Sequence, residues 1–224
     1  MIKEEYEEIK RDSIIYLKKD NNLSKHKPWL GDLLSAFYDP IMEKSIFPKK
    51  FDASITGHKQ FLKDCYSNIH NLNVLELAAG SGDIAQLLPD DNDYTGIDIS
   101  RGLLKIAERK FRSCGFKNIK LYICSADELP FIDNYFNFCI CNLSLNFFID
   151  TEKVIKEIYR VLRINGVFIC SVPVPERNIR KNTIRGRLYS EEKMKNLFVK
   201  YGFNFEPFNF KNGSLLYFRT IKIE

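Results

Sequence analysis

Short apolar runs alternate with longer amphipathic stretches from residue 73 onward. The apolar runs start at Val74, Tyr94, Ile119, Phe136 and Gly166. The stretches between them place apolar side chains three and four residues apart, which is the spacing of one helix face. Strands that alternate with helices form a parallel sheet covered on both sides. The pattern therefore predicts a doubly wound α/β fold.

The pattern changes near the C-terminus. Ser190 is suited to cap a helix that ends near Gly202. Two apolar runs, at residues 203–210 and 215–223, then flank Asn212 and Gly213. An Asn-Gly pair between such runs is typical of a β-hairpin. We therefore predict a mostly parallel, seven-stranded sheet that finishes with an antiparallel C-terminal hairpin.

Residues 1 to about 70 have a helical pattern instead. Apolar side chains recur at three- and four-residue intervals from Ile2 to Leu17. A second helix is predicted to start after Gly31 and to end before Pro48, and a third to run from about Ser54. We therefore predict an N-terminal helical cap over residues 1–70 and a main domain over residues 71–224.

The composition is that of a globular cytoplasmic protein. Hydrophobic residues make up 45% of the chain and charged residues 28%. No run approaches the ~20 apolar residues of a membrane span, and the N-terminus has no signal-peptide pattern. The six cysteines form no Cys-x-x-Cys pair, so we expect reduced, buried thiols and no metal site. The net charge of +5 is too mild to indicate a nucleic-acid partner, and the sequence leaves the oligomeric state open.

A small-residue turn follows the first strand of the alternating region. Gly80 and Gly82 lack β-carbons, so a ligand can approach the backbone closely there. Ligands in open α/β sheets bind at the carboxyl ends of the strands, where this turn lies. Asp98 ends the second strand and can accept hydrogen bonds from both ribose hydroxyls. After the third strand, Asp127 could receive an adenine amino group, with the backbone of Ala126 beside the ring.

Two ligand classes fit this turn. The spacing Gly80-x-Gly82-x-x-Ala85 followed by Asp98 also matches the dinucleotide fingerprint, so an NAD-dependent oxidoreductase is an alternative. Glu76, inside the first strand, would repel a pyrophosphate and attract the cationic amino and sulfonium groups of S-adenosylmethionine. Asp83 would compete for the amides that bind a pyrophosphate, and the C-terminal hairpin is not the ending of a dehydrogenase. These features favour S-adenosylmethionine.

Four motifs, in order and spacing, resemble the class I S-adenosylmethionine-dependent methyltransferases. The chain is closest in pattern to the methyltransferases of ubiquinone and menaquinone biosynthesis and their small-molecule relatives. The motifs occupy residues 75–85, 96–100, 126–131 and 158–166, and the resemblance covers about residues 36–220. The chain departs from the common pattern at Ala78, which replaces the first glycine, at Asn137, which replaces a frequent aspartate, and at residues 163–166, which replace a Lys-Pro-Gly turn.

The resemblance implies a Rossmann-like domain that binds S-adenosyl-L-methionine and releases S-adenosyl-L-homocysteine. The implied cofactor-binding residues are Tyr38, Glu76, Ala78, Gly80, Gly82, Asp98, Ile99, Ala126, Asp127 and Asn142. Within this set, Glu76 would orient the methionine amino end and Ile99 would pack on the adenine. Asn142 would lie near the sulfonium, and Tyr38 would close over the cofactor.

Methyl transfer requires an acceptor atom about 3 Å from the methyl group and the exclusion of water. The sequence identifies no catalytic residue; His26, Asp39, His58 and Glu128 are the candidates for a general base. We expect a small-molecule acceptor between the N-terminal helices and residues 173–190, which we predict to form a lid. The arginines of the lid are Arg177, Arg180, Arg185 and Arg187. They suit an acidic acceptor group, although a solvated basic loop is the alternative. For the function of the whole protein, a further alternative is a non-catalytic protein that binds S-adenosylmethionine.

Overall fold

A mixed β-sheet forms the centre of the computed structural model, which describes residues 1–20, 22–23 and 35–224. Within these residues the strands are β1 (Glu7–Arg11), β2 (Ile14–Lys19), β3 (Asn22–Leu23), β4 (Asn73–Leu77), β5 (Asp93–Asp98), β6 (Ile119–Ile123), β7 (Phe136–Asn142), β8 (Leu162–Pro173), β9 (Phe203–Pro207) and β10 (Leu215–Lys222). Their order is β1-β2-β6-β5-β4-β7-β8-β10-β9, and β3 pairs with β2.

The helices lie on both faces of this sheet. They are α1 (Tyr38–Ile41), which continues as a π-helix (Met42–Phe51), α2 (Ile55–Tyr66), α3 (Arg101–Ser113), α4 (Thr151–Val161) and α5 (Glu191–Lys200). Side chains of Ser54, Ser100, Asp150 and Ser190 cap α2 to α5 by accepting a backbone N–H three residues on. Buried residues of α2 and α3 pack into one core and those of α4 and α5 into the other.

The predicted doubly wound architecture is confirmed. Strands β6, β5, β4, β7 and β8 are parallel, so their carboxyl ends meet at one edge of the sheet. Strand β10 is antiparallel to both β8 and β9. The connection between β9 and β10 contains Asn212 and Gly213, the latter with φ of 58°, as the sequence predicted.

The helix predicted over the first twenty residues is wrong. Residues 7–19 form an antiparallel hairpin, and β2 extends the sheet by pairing in parallel with β6. The run Ile14-Ile15-Tyr16-Leu17 favours a strand, because β-branched and aromatic side chains pack well on a pleated surface. Asp12, with φ of 58°, turns the chain between the two strands. The predicted helical stripe (Ile2, Tyr6, Ile9, Ser13 and Leu17) therefore spans two separate strands and the residues before and between them.

Two further predictions about the helices need correction. Pro48 was expected to end a helix, but it lies inside the π-helix, which ends at the left-handed Asp52. A π-helix bonds each N–H five residues back, so its wider backbone tolerates the proline ring. The helix expected after the glycine turn is only a 3₁₀ turn, Asp83–Gln86. The start of the second predicted helix, at residues 31–34, lies outside the described residues.

The thiols and the helices agree with an ordinary globular interior. All six cysteines are free, and Cys124, Cys139, Cys141 and Cys170 are buried. Among the described residues, no helix has the length and hydropathy that a bilayer crossing requires.

Candidate cofactor-binding site

The turn after β4 has an unusual backbone. Three of its residues have left-handed φ values: Ala78 (52°), Gly80 (54°) and Gly82 (77°). A β-carbon on Gly82 would lie 2.7 Å from the Cα and Cβ atoms of Ala107 in α3. Among the described residues, a β-carbon on Gly80 would meet only the carbonyl oxygen of Ala78, at 3.9 Å. Gly82 thus allows the turn to pack on α3, and the space before Gly80 is open to a ligand.

Ala78, which the motif resemblance places at a glycine of the common pattern, has a left-handed φ of 52°. A left-handed φ costs an L-residue about 1–2 kcal/mol. Strained backbone of this kind concentrates at binding sites, where the surrounding structure enforces it. Here the amide of Ala79 donates to the carbonyl of Ile97 in the neighbouring strand, at 2.8 Å. The substitution therefore adds strain to the turn without changing its shape.

Asp98, at the carboxyl end of β5, holds the turn in place. Its Oδ2 accepts the backbone N–H of Gly80 at 2.9 Å, and its Oδ1 accepts that of Ser100 at 2.8 Å. A carboxylate has lone pairs for about four hydrogen bonds, so this one side chain can bind several donors. The next residue, Ile99, leaves 42% of its surface exposed. The structure thus places a carboxylate and an uncovered apolar side chain side by side, as a ribose and an adenine require.

Glu76 is a buried carboxyl group behind the turn, only 5% exposed. Its pKa is raised to about 8, mainly by burial and also by the nearby Asp83 and Asp98, while a hydrogen bond from the Tyr94 hydroxyl to Oε2 opposes the rise. Because this pKa is above the ordinary 4.5, the folded protein binds more protons than the unfolded chain. The stability contribution of Glu76 is therefore lost as pH rises from about 4.5 to about 8. A cation bound beside Glu76 would favour the ionised carboxylate and would offset this loss of stability at higher pH.

Asn142 ends β7 and is fixed by two side chains. Its Nδ2 donates to the Tyr66 hydroxyl at 3.3 Å, and its Oδ1 accepts from Ser171 Oγ at 3.0 Å. The following residue, Leu143, has a left-handed φ of 59°. Asn142 is therefore held rigidly at the same sheet edge as the glycine turn.

Tyr38 and Asp39, at the start of α1, meet the glycine turn. Burial raises the pKa of Tyr38, and the nearby Asp98, Asp83, Asp39 and Glu76 raise it further, so its phenol is close to these carboxylates. Asp39 accepts hydrogen bonds from Ser81 Oγ at 2.5 Å and from Lys110 Nζ at 2.6 Å. Lys110 Nζ also binds Asp83. These ion pairs attach α1 to the turn.

The loop after β6 completes the sheet edge. Ala126 is buried, and Asp127 is partly exposed, with Lys153 Nζ 4.0 Å from its carboxylate. The start of this loop is bound to β5, because the amide of Cys124 donates to the carbonyl of Asp98 at 3.3 Å. The structure thus brings the predicted adenine loop next to Asp98.

None of the three described candidates for a general base is free to act. His58 is buried, which lowers its pKa to about 3, and its Nδ1 lies 2.9 Å from the Tyr217 hydroxyl. Asp39 pairs with Lys110, and Glu128 pairs with Tyr6 and Lys19 in the N-terminal region. The fourth candidate, His26, lies outside the described residues.

The segment predicted as a lid makes several contacts with the protein. Arg177 donates to the carbonyl of Leu215 at 2.9 Å and pairs with Glu191, and Arg180 pairs with Asp52 at 3.0 Å. These two arginines are therefore structural. Arg185 and Arg187 are exposed. Their backbone is fixed beside the loop after β7: the Arg185 carbonyl accepts from Asn146 Nδ2, and the Arg187 amide donates to the Asn146 carbonyl, both at 2.7 Å.

The geometry disfavours a dinucleotide. A pyrophosphate binds at the N-terminus of the helix that follows the glycine turn, but that segment here is the 3₁₀ turn Asp83–Gln86. The Asp83 carboxylate stands at its start and is paired with Lys110.

Sequence reasoning missed Tyr66, Tyr94 and Ser171, which hold the predicted site residues. Tyr94 could have been found, because side chains two residues apart on a strand share a face. Tyr94 therefore lies on the same face of β5 as Gly96, two residues before it. Tyr66 and Ser171 carry no local signal, since each reaches Asn142 from a distant part of the chain.

Comparisons with known proteins identify the family of the chain. The profile of a family described as a methyltransferase domain matches residues 69–211. The ubiquinone/menaquinone biosynthesis C-methyltransferase UbiE of Rickettsia bellii is 39% identical over 108 residues, which cover 45% of this chain and 44% of that protein. An uncharacterized protein of Methanocaldococcus jannaschii is 30% identical over 154 residues, covering 69% and 67%. The chain thus spans about half the length of the curated UbiE relatives it matches.

A solved structure has the same fold. It is a SAM-dependent methyltransferase from Thermotoga maritima, described as a possible histamine N-methyltransferase. It superposes with a TM-score of 0.63 at 19% identity, covering 86% of this chain and 98% of its own. The family profile, the glycine turn and the sheet order lead to one conclusion: the chain belongs to the class I S-adenosylmethionine-dependent methyltransferases.

Proposed function

We propose that this protein transfers the methyl group of S-adenosylmethionine to a small-molecule acceptor and releases S-adenosylhomocysteine. The observation that carries the proposal is the buried carboxyl of Glu76, in the strand that leads into the glycine turn; it has no cationic partner among the described residues, and a bound cation would ionise it. A buried carboxylate repels a diphosphate and attracts an ammonium or sulfonium group. The donor thus carries positive charge into this cleft.

The cofactor, when bound, supplies a methyl group already activated by its sulfonium. The chain's own residues then bind and orient. Asp98 would accept the ribose hydroxyls while it holds Gly80. Ile99 and Ala126 would flank the adenine, and Asp127 would accept its amino group. Ala78, Gly80 and Gly82 would shape the turn against which the cofactor lies.

The remaining groups would act near the reacting atoms. Glu76 would receive the amino end of the cofactor, and Asn142 would present its fixed amide toward the sulfonium side. Tyr38, attached through the Asp39–Lys110 ion pair, would cover the cofactor and keep water out. Since the described candidates for a general base are engaged, we propose that catalysis rests on positioning and exclusion of water.

The cofactor assignment is tested by titration calorimetry. We expect S-adenosylmethionine and S-adenosylhomocysteine to bind in the micromolar range or tighter, and NAD to show no heat at concentrations a hundred times higher. Detection of S-adenosylhomocysteine after incubation with pooled acceptors then separates an enzyme from a non-catalytic binder. Tight NAD binding without binding of either sulfur nucleoside would contradict the proposal.

We further propose that residues 173–190 border the acceptor pocket and act as a lid, with the exposed Arg185 and Arg187 facing an acidic group. The backbones of both arginines bind Asn146, which is four residues beyond Asn142 in the chain. Arg185 and Arg187 therefore lie near the carboxyl ends of β7 and β8. The Arg187 guanidinium is 5.1 Å from the ring centre of Tyr189. A guanidinium stacked in this way still presents its edge to a carboxylate.

The acceptor prediction uses charge reversal. Arg185→Glu/Arg187→Glu should raise KM for hydroxyaryl carboxylates by about 10- to 100-fold, as expected for a lost charge-assisted contact. KM for the corresponding neutral carboxamides should stay unchanged. Arg163→Glu is the matched control, since Arg163 is exposed at the opposite edge of the sheet. An unchanged KM for carboxylates in the double variant would end the idea of an acidic acceptor.

A further inference from the structure

Two buried side chains on neighbouring strands form a pair behind the glycine turn. The Tyr94 hydroxyl donates a hydrogen bond to Oε2 of Glu76. Strands β4 and β5 align Glu76 with Gly96, so Tyr94 reaches across from two residues back along β5. Tyr94 is 1% exposed and Glu76 is 5% exposed. The bond is therefore shielded from water.

The position of the Tyr94 hydroxyl is fixed by its surroundings. A β-carbon on Gly96 would lie 2.7 Å from that hydroxyl, so the glycine makes the room in which the phenol lies. On its other side, the ring stacks on Phe111 with centroids 3.8 Å apart. The hydroxyl therefore has one position available, and that position faces Glu76.

Glu76 lacks a positive partner within the described residues. Tyr94 is its one hydrogen-bond donor there, and only on Oε2. The other titratable groups that act on it or feel its charge are Asp83, Asp98, Tyr38, Tyr66 and Cys139. All of them are acids, phenols or a thiol. Oε1 is thus left for a cation that enters from the cleft.

We propose that Tyr94 is a positioning residue that holds Oε2 of Glu76 so that Oε1 receives the ammonium group of the cofactor, and that cofactor binding releases one proton from Glu76 to solvent. This inference rests on the proposed function. The proton leaves the carboxyl group for bulk water, and the resulting carboxylate accepts one bond from Tyr94 and one from the ammonium. Tyr94 keeps its own proton, because burial raises its pKa well above 10.

The pH dependence of affinity is the direct consequence. The raised pKa of Glu76, about 8, means that the carboxyl is largely protonated in the free protein at neutral pH. Affinity should therefore rise with pH, by up to about ten-fold per unit. The ammonium of the ligand itself titrates at about pH 7.7–8.0, so the range from about pH 5.5 to about pH 7.5 isolates the protein group.

The test is calorimetry with S-adenosylhomocysteine in buffers of different ionisation enthalpy. Wild type should release close to one proton near pH 6.5. Tyr94→Phe keeps the ring stacked on Phe111 but removes the donor, so the pKa of Glu76 should rise. We expect its affinity to fall by about ten-fold or more near pH 7 and its pH profile to move to higher pH. At about pH 8.5 Tyr94→Phe should still release more protons than wild type, whose Glu76 is already largely ionised there. Equal proton release by both proteins at that pH would overturn the proposal, because a merely structural role leaves the pKa of Glu76 unchanged.

Three controls keep the outcome interpretable. Tyr122→Phe removes another buried phenol, which donates to Glu8 at 2.6 Å, and should leave the profile unchanged. Glu76→Gln should abolish proton release even if its affinity is weak. Wild-type binding of 5′-methylthioadenosine, which lacks the amino acid end, should release no proton. If wild type binds S-adenosylhomocysteine without releasing a proton, the inference fails and the proposed function stands. If it binds neither S-adenosylhomocysteine nor S-adenosylmethionine, both fail.

Discussion

Gly82→Ala should destabilise the protein by about 2–5 kcal/mol, the sum of a left-handed backbone for alanine and an overpacked core. The added methyl would lie 2.7 Å from the Cα and Cβ atoms of Ala107 and 3.3 Å from Phe111 Cε2. Ala107 is fully buried in α3, so its backbone cannot move aside without shifting the helix. Urea unfolding with and without ligand measures the loss, which should appear as a lower midpoint at an unchanged slope.

Gly80→Ala is the matched comparison, because its φ of 54° lies in the same region. Within the part of the chain that the structure describes, its new methyl meets only the Ala78 carbonyl oxygen, at 3.9 Å, so the backbone cost of about 1–2 kcal/mol is the expected destabilisation. The methyl would occupy the space proposed for the cofactor, and affinity for S-adenosylhomocysteine should fall by about 100-fold, the loss expected when a close backbone contact is blocked. Equal destabilisation by both variants, or undiminished binding by Gly80→Ala, would contradict the assigned roles of the two glycines.

The glycine turn and Asp98 could be predicted from sequence because their function depends on local backbone chemistry. A strand, a small-residue turn and an acid at the next strand end are separated by fixed distances along the chain. The parallel topology then brings them to one edge. No distant residue is needed to place them, so the pattern alone carried the information.

The N-terminal hairpin could not be predicted in the same way. Its strand β2 is stable because it adds to the open edge of β6, more than a hundred residues later in the chain. Isolated two-stranded hairpins are marginal in water, so the local pattern could not distinguish a strand stabilised by that edge from an amphipathic helix. Leu17, one of the residues that carried the helical stripe, is buried in the hairpin that makes this tertiary pairing.

The partners of the site residues were hidden for a related reason. Tyr66 and Ser171 reach Asn142 from α2 and β8, and neither belongs to a recognisable motif. Arg177 shows the converse error. Its charge predicted a ligand contact, but the folded chain uses it to bind the carbonyl of Leu215 and the carboxylate of Glu191. Charge alone does not distinguish a guanidinium that binds substrate from one that satisfies buried backbone acceptors.

Asp98→Asn should abolish most cofactor binding, with affinity for S-adenosylhomocysteine reduced by about 100-fold or more. The two carboxylate oxygens each accept a backbone N–H, from Gly80 and from Ser100. An asparagine has one acceptor oxygen, so its amide nitrogen would face one of these donors. Loss of hydrogen bonds to a charged group costs about 1.5–3 kcal/mol each. The same carboxylate is the proposed acceptor for the ribose. Its replacement should therefore weaken both the hydrogen bonds that hold the turn and those that bind the ligand.

The ligand series separates Asp98 from Tyr94. Because 5′-methylthioadenosine keeps the ribose, Asp98→Asn should weaken its binding as much as that of S-adenosylhomocysteine, whereas Tyr94→Phe should spare it. Asp127→Asn is the matched control: Asp127 is partly exposed, and asparagine still accepts a hydrogen bond from an adenine amine, so we expect a loss below about ten-fold. Binding by Asp98→Asn within a factor of about three of wild type, well under the cost of one charged hydrogen bond, would show that the carboxylate serves the turn alone. The ribose would then be held elsewhere in the cleft.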